Sequence, residues 1–227
     1  MTAEEWSALR LSFQVAACAT AAGFPLAVAL GYLLARGRFH GKWLIELFVN
    51  LPLVLPPVVI GYLLLVAFAP HGPIGSILLK WFGVKIVFSW VGAALASLVM
   101  SFPLMVRAIR LSFQSIDPRL EMAARSLGAT PWSAFFTVSL PLARRGLIAG
   151  GMLAFARSLG EFGATIMVSG NIEGQTRTIP LAIFTLAGQP GGMAHSWRLV
   201  GLSILLACGA LAVSEWLERT RSFHVSA

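Results

Sequence analysis

Charge is what this chain has least of. Only 11% of its 227 residues are Asp, Glu, Lys or Arg, whereas ordinary soluble domains carry about a quarter. With 57% hydrophobic residues and a mean hydropathy of +0.81, a water-soluble domain is excluded and an integral membrane protein is left. Lysine is rarer still. Lys42, Lys80 and Lys85 are followed by Trp43, Trp81 and Ile86, so no lysine precedes the Ser or Thr that a P-loop places on its metal ion, and the chain binds no ATP in that manner. The two cysteines, Cys18 and Cys208, each fall inside an apolar run. That excludes a disulfide framework or a paired-cysteine metal site and casts both as inert packing residues. The His-Glu-x-x-His and Gly-x-Ser-x-Gly arrangements are missing as well, which leaves a membrane hydrolase without machinery. No repeat or low-complexity tract is seen.

What the chain does have is a series of apolar runs with basic flanks. A net charge of +8 and a pI of about 10.8 suit nucleic acid only where the cations cluster. Here they lie beside apolar runs, which is the pattern of membrane topology. The length accommodates five or six helical spans and little else. Five are predicted, at about Leu11–Ala35, Leu44–Ala69, Phe88–Val106, Gly146–Ser169 and Trp197–Ser214. Glu4 and Glu5 stand where a signal peptide has basic residues, so the first run is expected to stay as a span. Pro70–Val87 reads as a turn-rich external loop. The short apolar patch Ile179–Ala187 is too short to cross a bilayer and reads as a re-entrant or external helix. Of the tryptophans, Trp43, Trp90, Trp197 and Trp216 lie near span ends and fit an interfacial belt. His71, His195 and His224 read as surface residues, and His40 belongs to a basic flank.

The most informative segment is Asp117 to Pro141, polar and set between two apolar runs. Asp117-Pro118 is an N-cap followed by a first-turn proline, and Gly128 stands where a helix-ending glycine belongs, so a helix of about ten residues is predicted between them. Thr130-Pro131 starts a second short helix in the same way. Small residues closed by a glycine let another protein approach the backbone. Placing this segment in the cytoplasm gives an outside N-terminus, five crossings and a cytoplasmic C-terminus. Eleven Lys or Arg then flank the inner side, including Arg36, Arg38, Arg144, Arg145, Arg219 and Arg221, against five outside. That is the positive-inside pattern.

Within the fourth span, Arg157 and Glu161 are four residues apart and so share a helical face. Charges at mid-membrane cost about 2.5 to 3.5 kcal/mol each and normally pair or face water. A structural ion pair and an anion-attracting pathway element are both open. Gly160 and Gly163 suit close helix packing. Pro52, Pro56 and Pro57 either unwind the second span so that its amides face a passing anion, or merely kink it. Asn171, Glu173, Thr176, Arg177 and Thr178 suit an outer gate or binding-protein contact, or a solvated loop.

The segment Glu121-Met122-Ala123-Ala124-Arg125-Ser126-Leu127-Gly128, then nine residues, then Val138-Ser139-Leu140-Pro141, resembles the cytoplasmic "EAA" loop of ABC-importer permeases. The blocks Leu51 to Gly61, Met100 to Arg110, Ala154 to Thr165, Gly170 to Ile172 and Thr176 to Pro180 resemble the molybdate permeases of the oxyanion branch, which also takes in tungstate and sulfate. The likeness covers nearly the whole chain. Met122 stands at the family's loop glutamate, with Glu121 one residue earlier, and Val138 replaces isoleucine. The resemblance implies an all-α polytopic membrane protein of the type I importer fold, a single domain over 1–227 with core 8–217 and coupling loop 111–145. It has five transmembrane helices, short cytoplasmic coupling helices and one re-entrant or external helix. It also implies a bacterial inner-membrane location and no catalytic site. The implied partners are a second copy, two ATPase subunits that bind ATP-Mg, and an external oxyanion-binding protein, with no cofactor or nucleic acid. Glu121, Ala123, Ala124, Gly128, Ala129, Leu140 and Pro141 carry over as the ATPase-docking set. An ion-coupled secondary transporter using Arg157 and Glu161 as a proton relay, and a membrane scaffold, are the readings from other classes. The first predicts uptake that collapses with the proton gradient and ignores ATP; the second leaves the charge pair and broken span without purpose.

Overall fold

The computed structural model describes residues 2–219, apart from the side chains of 193–195, 210, 211 and 213–219. The predicted roles of His195, Trp216, Arg219, Arg221 and His224 therefore lie outside the described side chains. All regular structure among the described residues is helical. Helix α1 (Ala3–Arg36) begins well before the apolar run because Thr2 forms a capping box with Glu5, satisfying first-turn amides that an uncapped start leaves open. At 34 residues it is about 51 Å long at 1.5 Å per residue. The other uninterrupted apolar helix, α5 (Trp90–Gln114), starts on a Ser89 cap. It carries Arg107 and Arg110 inside the helix, where the sequence places the span's end at Val106. No stop signal occurs until Asp117-Pro118.

These two helices pack with α8 (Leu140–Leu159) to form the main core, with Leu34, Met105, Val106, Ile109, Phe113, Ala143, Leu147 and Ala154 at its centre. Small residues set the spacing. A Cβ on Gly31 of α1 would stand 2.7 Å from Ile109 Cγ2, and one on Gly150 of α8 would stand 3.0 Å from Ile109 Cγ1. Inside a membrane, association between helices rests on such close packing rather than on expulsion of water.

The second predicted span is not straight. Helices α2 (Lys42–Val54) and α3 (Pro57–Phe68) meet at a bend of 113°. The fourth is interrupted too, since α8 ends at Leu159 and α9 (Gly163–Ser169) resumes after a three-residue gap. The segment between α3 and α5 contains a helix that the turn residues there do not announce, α4 (Gly75–Phe82), which ends on Gly83 at φ +65° and exposes Ile77, Trp81 and Phe82. Its eight residues are too few for a recognisable helical period beside so many Gly and Pro. In the polar segment, α6 (Pro118–Ser126) and α7 (Pro131–Ala134) lead through a π turn (Phe135–Ser139) into α8. Ile179–Ala187 is helix α10, of nine residues, packed between α1 and α11 (Gly192–Arg219) around Ala8, Ile179, Ala182 and Leu199. Within α11 the apolar run covers Ser196–Gly209. Trp43 and Trp197 project outward, as belt residues do. Cys18 and Cys208 are free but exposed on this chain's surface, not packed within it, because each faces away from the α1–α5–α8 core.

The α3–α9 crossing allows a direct check. A Cβ on Gly61 would meet Ala164 O at 2.7 Å and Ala164 Cα at 2.8 Å, whereas one on Gly201 meets nothing within 4 Å. Gly61→Ala is expected to cost about 1–3 kcal/mol through overpacking. This is read as a lower thermal midpoint of the purified protein in detergent. Gly201→Ala should leave the midpoint unchanged or raise it through helix propensity.

Candidate docking segment and helix breaks

The local chemistry of α6 explains its length. Asp117 accepts a hydrogen bond from Arg119 N at 2.9 Å, Pro118 needs no partner for a missing N–H, and the chain then turns at Gly128, φ +94°. Gly128 N donates to Arg125 O at 3.0 Å and Ala129 N to Ala124 O at 3.1 Å, which is a Schellman closure. A Cβ on Gly128 would touch nothing within 4 Å. Glycine is needed there for its backbone angle, and the space above it is open.

None of the residues of α6 is buried. Ala123 and Gly128 are exposed, while Ala124 and Ala129 are half-buried. Beside them stand Met122 at 56%, Leu127 at 90% and Trp132 at 74% exposure. None of these three is in the docking set carried over from the resemblance. Their signal was present as large apolar residues interrupting a polar segment. Leu140 and Pro141 sit elsewhere, at the start of α8, lining an apolar groove of about 1190 Å³ with Tyr32, Phe135 and Arg144. Glu121 also departs from the exposed set, because its carboxylate turns inward. Oε1 accepts from Tyr32 Oη at 2.6 Å and Oε2 from Ser139 Oγ at 3.0 Å, with Arg36 Nε 3.9 Å away.

The second candidate region joins the two helix breaks. Pro52 lies within α2, Pro56 precedes the new helix and Pro57 is in its first turn, so a continuous amide ladder through this point is impossible. Gly163 opens α9 directly against it, since a Cβ there would lie 2.9 Å from Pro57 Cβ. Between α8 and α9 sits Glu161, 3% exposed. Its Oε2 pairs with Arg157 Nη2 at 2.7 Å, while Oε1 accepts from Ala164 N at 3.0 Å. The predicted pair therefore forms, but not across the face of an unbroken helix. Glu161 lies beyond the end of α8 and folds back, capping the first turn of α9, where a carboxylate also complements the helix dipole. Of the two glycines read as packing residues, Gly163 is one. Gly160 has no close neighbour beyond Arg157 O at 4.0 Å and stands at the end of α8.

Residues 171–177 form a hydrogen-bonded knot with Thr185. Arg177 Nε donates to Asn171 Oδ1 at 3.0 Å, Asn171 Nδ2 to Thr185 Oγ1 at 2.7 Å, and Arg177 Nη1 pairs with Glu173 at 3.2 Å. Thr176 is fully buried and accepts from Ile172 N. Thr178 stands apart from the Asn171–Arg177 link. It precedes α10, and its buried hydroxyl has no partner.

The same helical architecture is found in solved chains of bacterial ABC transporters. A bacterial ABC transporter importing the acidic polysaccharide alginate matches at TM-score 0.73 and 18% identity over 100% of this chain and 82% of that one. The MetNI methionine transporter matches at 0.64 and 19%, over 95% and 94%. Identities this low speak for fold alone. The sequence carries the rest: the description "binding-protein-dependent transport system inner membrane component" matches residues 27–219, and the chain belongs to that family. It is the non-enzymatic membrane subunit of such a bacterial system. The molybdenum transport system permease protein ModB of Escherichia coli K12 is 53% identical over 96% of each chain. That of Haemophilus influenzae is 53% identical over 95% of this chain and 94% of its own. The sulfate permease CysT of E. coli K12 is 37% identical over 78% of this chain and 65% of its own.

A double-mutant cycle probes the Glu161 arrangement. Glu161→Ala strands the Ala164 amide and the Arg157 guanidinium, and is expected to cost roughly 1–3 kcal/mol. Arg157→Ala should destabilise as well, because it leaves the Glu161 carboxylate, only 2% exposed, without its counter-charge. The coupling energy between the two, read from thermal midpoints in detergent, should fall at about 0.5–3 kcal/mol. Additive effects would contradict the pairing.

Proposed function

We propose that this chain is the subunit through which molybdate crosses the membrane in an ATP-driven importer. Two copies assemble with two ATPase subunits and receive the anion from an external binding protein. The observation that carries this reading is the docking segment, a capped helix closed by a left-handed Gly128 with Met122, Leu127 and Trp132 exposed around it, in a chain 53% identical to molybdenum permeases. Large apolar side chains on a polar segment are anchors for a protein partner. Ala123, Ala124 and Ala129 keep the approach to the backbone open. The proposal includes five crossings, an outside N-terminus, an inside C-terminus and α10 as a non-crossing helix; the basic flanks support this orientation.

Energy input is required by the cargo. Moving a dianion into a negative interior costs about 4.6 kcal/mol per 100 mV, at about 2.3 per charge. Arg157 is not a free attractant for it, since Glu161 already neutralises the guanidinium, so the pair acts structurally. The Pro52–Pro57 break next to Gly163 is the point at which the helices bend when the transporter changes its access. Asn171 and Arg177, held in their knot, form part of the rigid outer surface that meets the binding protein.

The reading is tested by uptake of labelled molybdate into vesicles holding the full complex. ATP-dependent uptake competed by tungstate more strongly than by sulfate is expected. Uptake insensitive to ATP but abolished by dissipating a proton gradient would contradict it. Leu127→Asp should cut ATPase co-purification by about tenfold or more, as loss of an interface anchor does, without altering the thermal midpoint of the permease. Gly128→Leu forces a side chain into φ +94° and should lower uptake per ATP hydrolysed, measured in the same vesicles.

A further inference from the structure

Glu121 belongs to the docking helix by sequence, yet its carboxylate is only 17% exposed and turns toward α1 and the start of α8. It joins three elements at one point. Tyr32 and Arg36 come from the cytoplasmic end of α1, Ser139 from the π turn that opens α8, and Glu121 from α6. Each partner is itself fixed. The Tyr32 ring lies edge-on between Phe113 at 5.3 Å and Phe135 at 4.7 Å, and Phe113 is fully buried. Arg36 Nη2 also donates to Ile116 O at 2.9 Å, just before α6 begins, and Ser139 is fully buried. By contrast, α6 buries none of its own residues in this chain.

We infer that Glu121 is a positioning residue, a latch that makes α1 and α8 follow α6, and not itself a contact for the ATPase. The inference rests on the reading of α6 as the docking helix. A helix lying on the surface without buried residues can tilt under load without moving its neighbours. A charge-assisted hydrogen bond of 2.6 Å to a clamped tyrosine opposes that, because tilting α6 away would break the carboxylate's shortest bond and pull on those to Ser139 and Arg36. The docking face is then left to Met122 on α6, Leu127 at its end and Trp132 on α7, all exposed, so that grip and transmission fall to different residues.

The test uses Tyr32→Phe, which keeps the ring and removes the hydroxyl, and Glu121→Ala, each in the full complex with ATPase and binding protein. Both variants should retain the ATPase subunits at wild-type stoichiometry while ATP hydrolysed per molybdate imported rises about tenfold, the change expected for loss of one charge-assisted bond. Loss of the ATPase from Glu121→Ala with a normal Tyr32→Phe would make Glu121 a docking contact and overturn the latch. A wild-type ATP-to-molybdate ratio in Tyr32→Phe overturns it as well, and this variant decides alone should Glu121→Ala fail to fold. A second readout does not depend on transport. Spin labels at Arg38→Cys and Arg125→Cys, in a Cys18→Ser/Cys208→Ser background of the permease, should give one narrow distance that broadens in Tyr32→Phe. An identical narrow distance in both refutes the latch, whereas a wild-type complex that imports no molybdate refutes only the transport reading.

Discussion

A backbone amide or carbonyl within a membrane has no water to turn to, so every interruption of a helix there must be answered by the protein itself. This constraint organises the structure. The prolines between α2 and α3 and the gap between α8 and α9 both create unsatisfied groups, and the molecule places the two breaks against each other. Glu161 supplies the acceptor for the restarted helix, and Arg157 supplies its counter-charge at 2.7 Å. Gly61 and Gly163 allow the approach that brings the pieces together. Loss of the carboxylate removes the cap and the ion pair at once.

The end of the bundle that carries α6 is built on different terms. There the helices leave the apolar core and are joined by directed polar contacts. Arg110 Nη2 reaches Glu46 at 3.0 Å, Ser112 Oγ donates to Ala143 O at 3.1 Å, and Arg36 and Tyr32 converge on Glu121. The result is a close-packed α1–α5–α8 body with an outward-facing helix fastened to its rim. A membrane subunit without an ATP site needs such an arrangement if a separate motor is to move it, because a force applied to an unfastened loop is lost in the loop.

Much of this was legible in the residues. Asp117-Pro118, Thr130-Pro131 and Gly128 announced the ends of α6 and α7 because capping is local chemistry. The nine residues of α10 followed from an apolar patch too short to span. The apolar runs marked α1 and α5, although their ends were missed where helices continue past the apolar zone, at Ala3 because of the Thr2–Glu5 box and at Arg107 because nothing stops the helix there. Side-chain direction was not legible. Glu121 looked like part of an exposed motif, and only the positions of Tyr32 and Ser139, 89 and 18 residues away, turn it inward. The spacing of Arg157 and Glu161 suggested one helical face, yet the helix ends between them, at a Gly-Glu-Phe-Gly sequence whose last glycine packs against Pro57. Helix α4 was hidden by the turn residues around it.

The account stands or falls on where α6 lies and what covers it. The most direct measurement is labelling of Ser126→Cys, in a chain lacking Cys18 and Cys208, with a thiol reagent that cannot cross membranes. The account predicts no labelling from outside intact cells, labelling in inverted vesicles stripped of ATPase, and protection when the ATPase is restored. Labelling from the outside, or equal labelling with and without the ATPase, contradicts it.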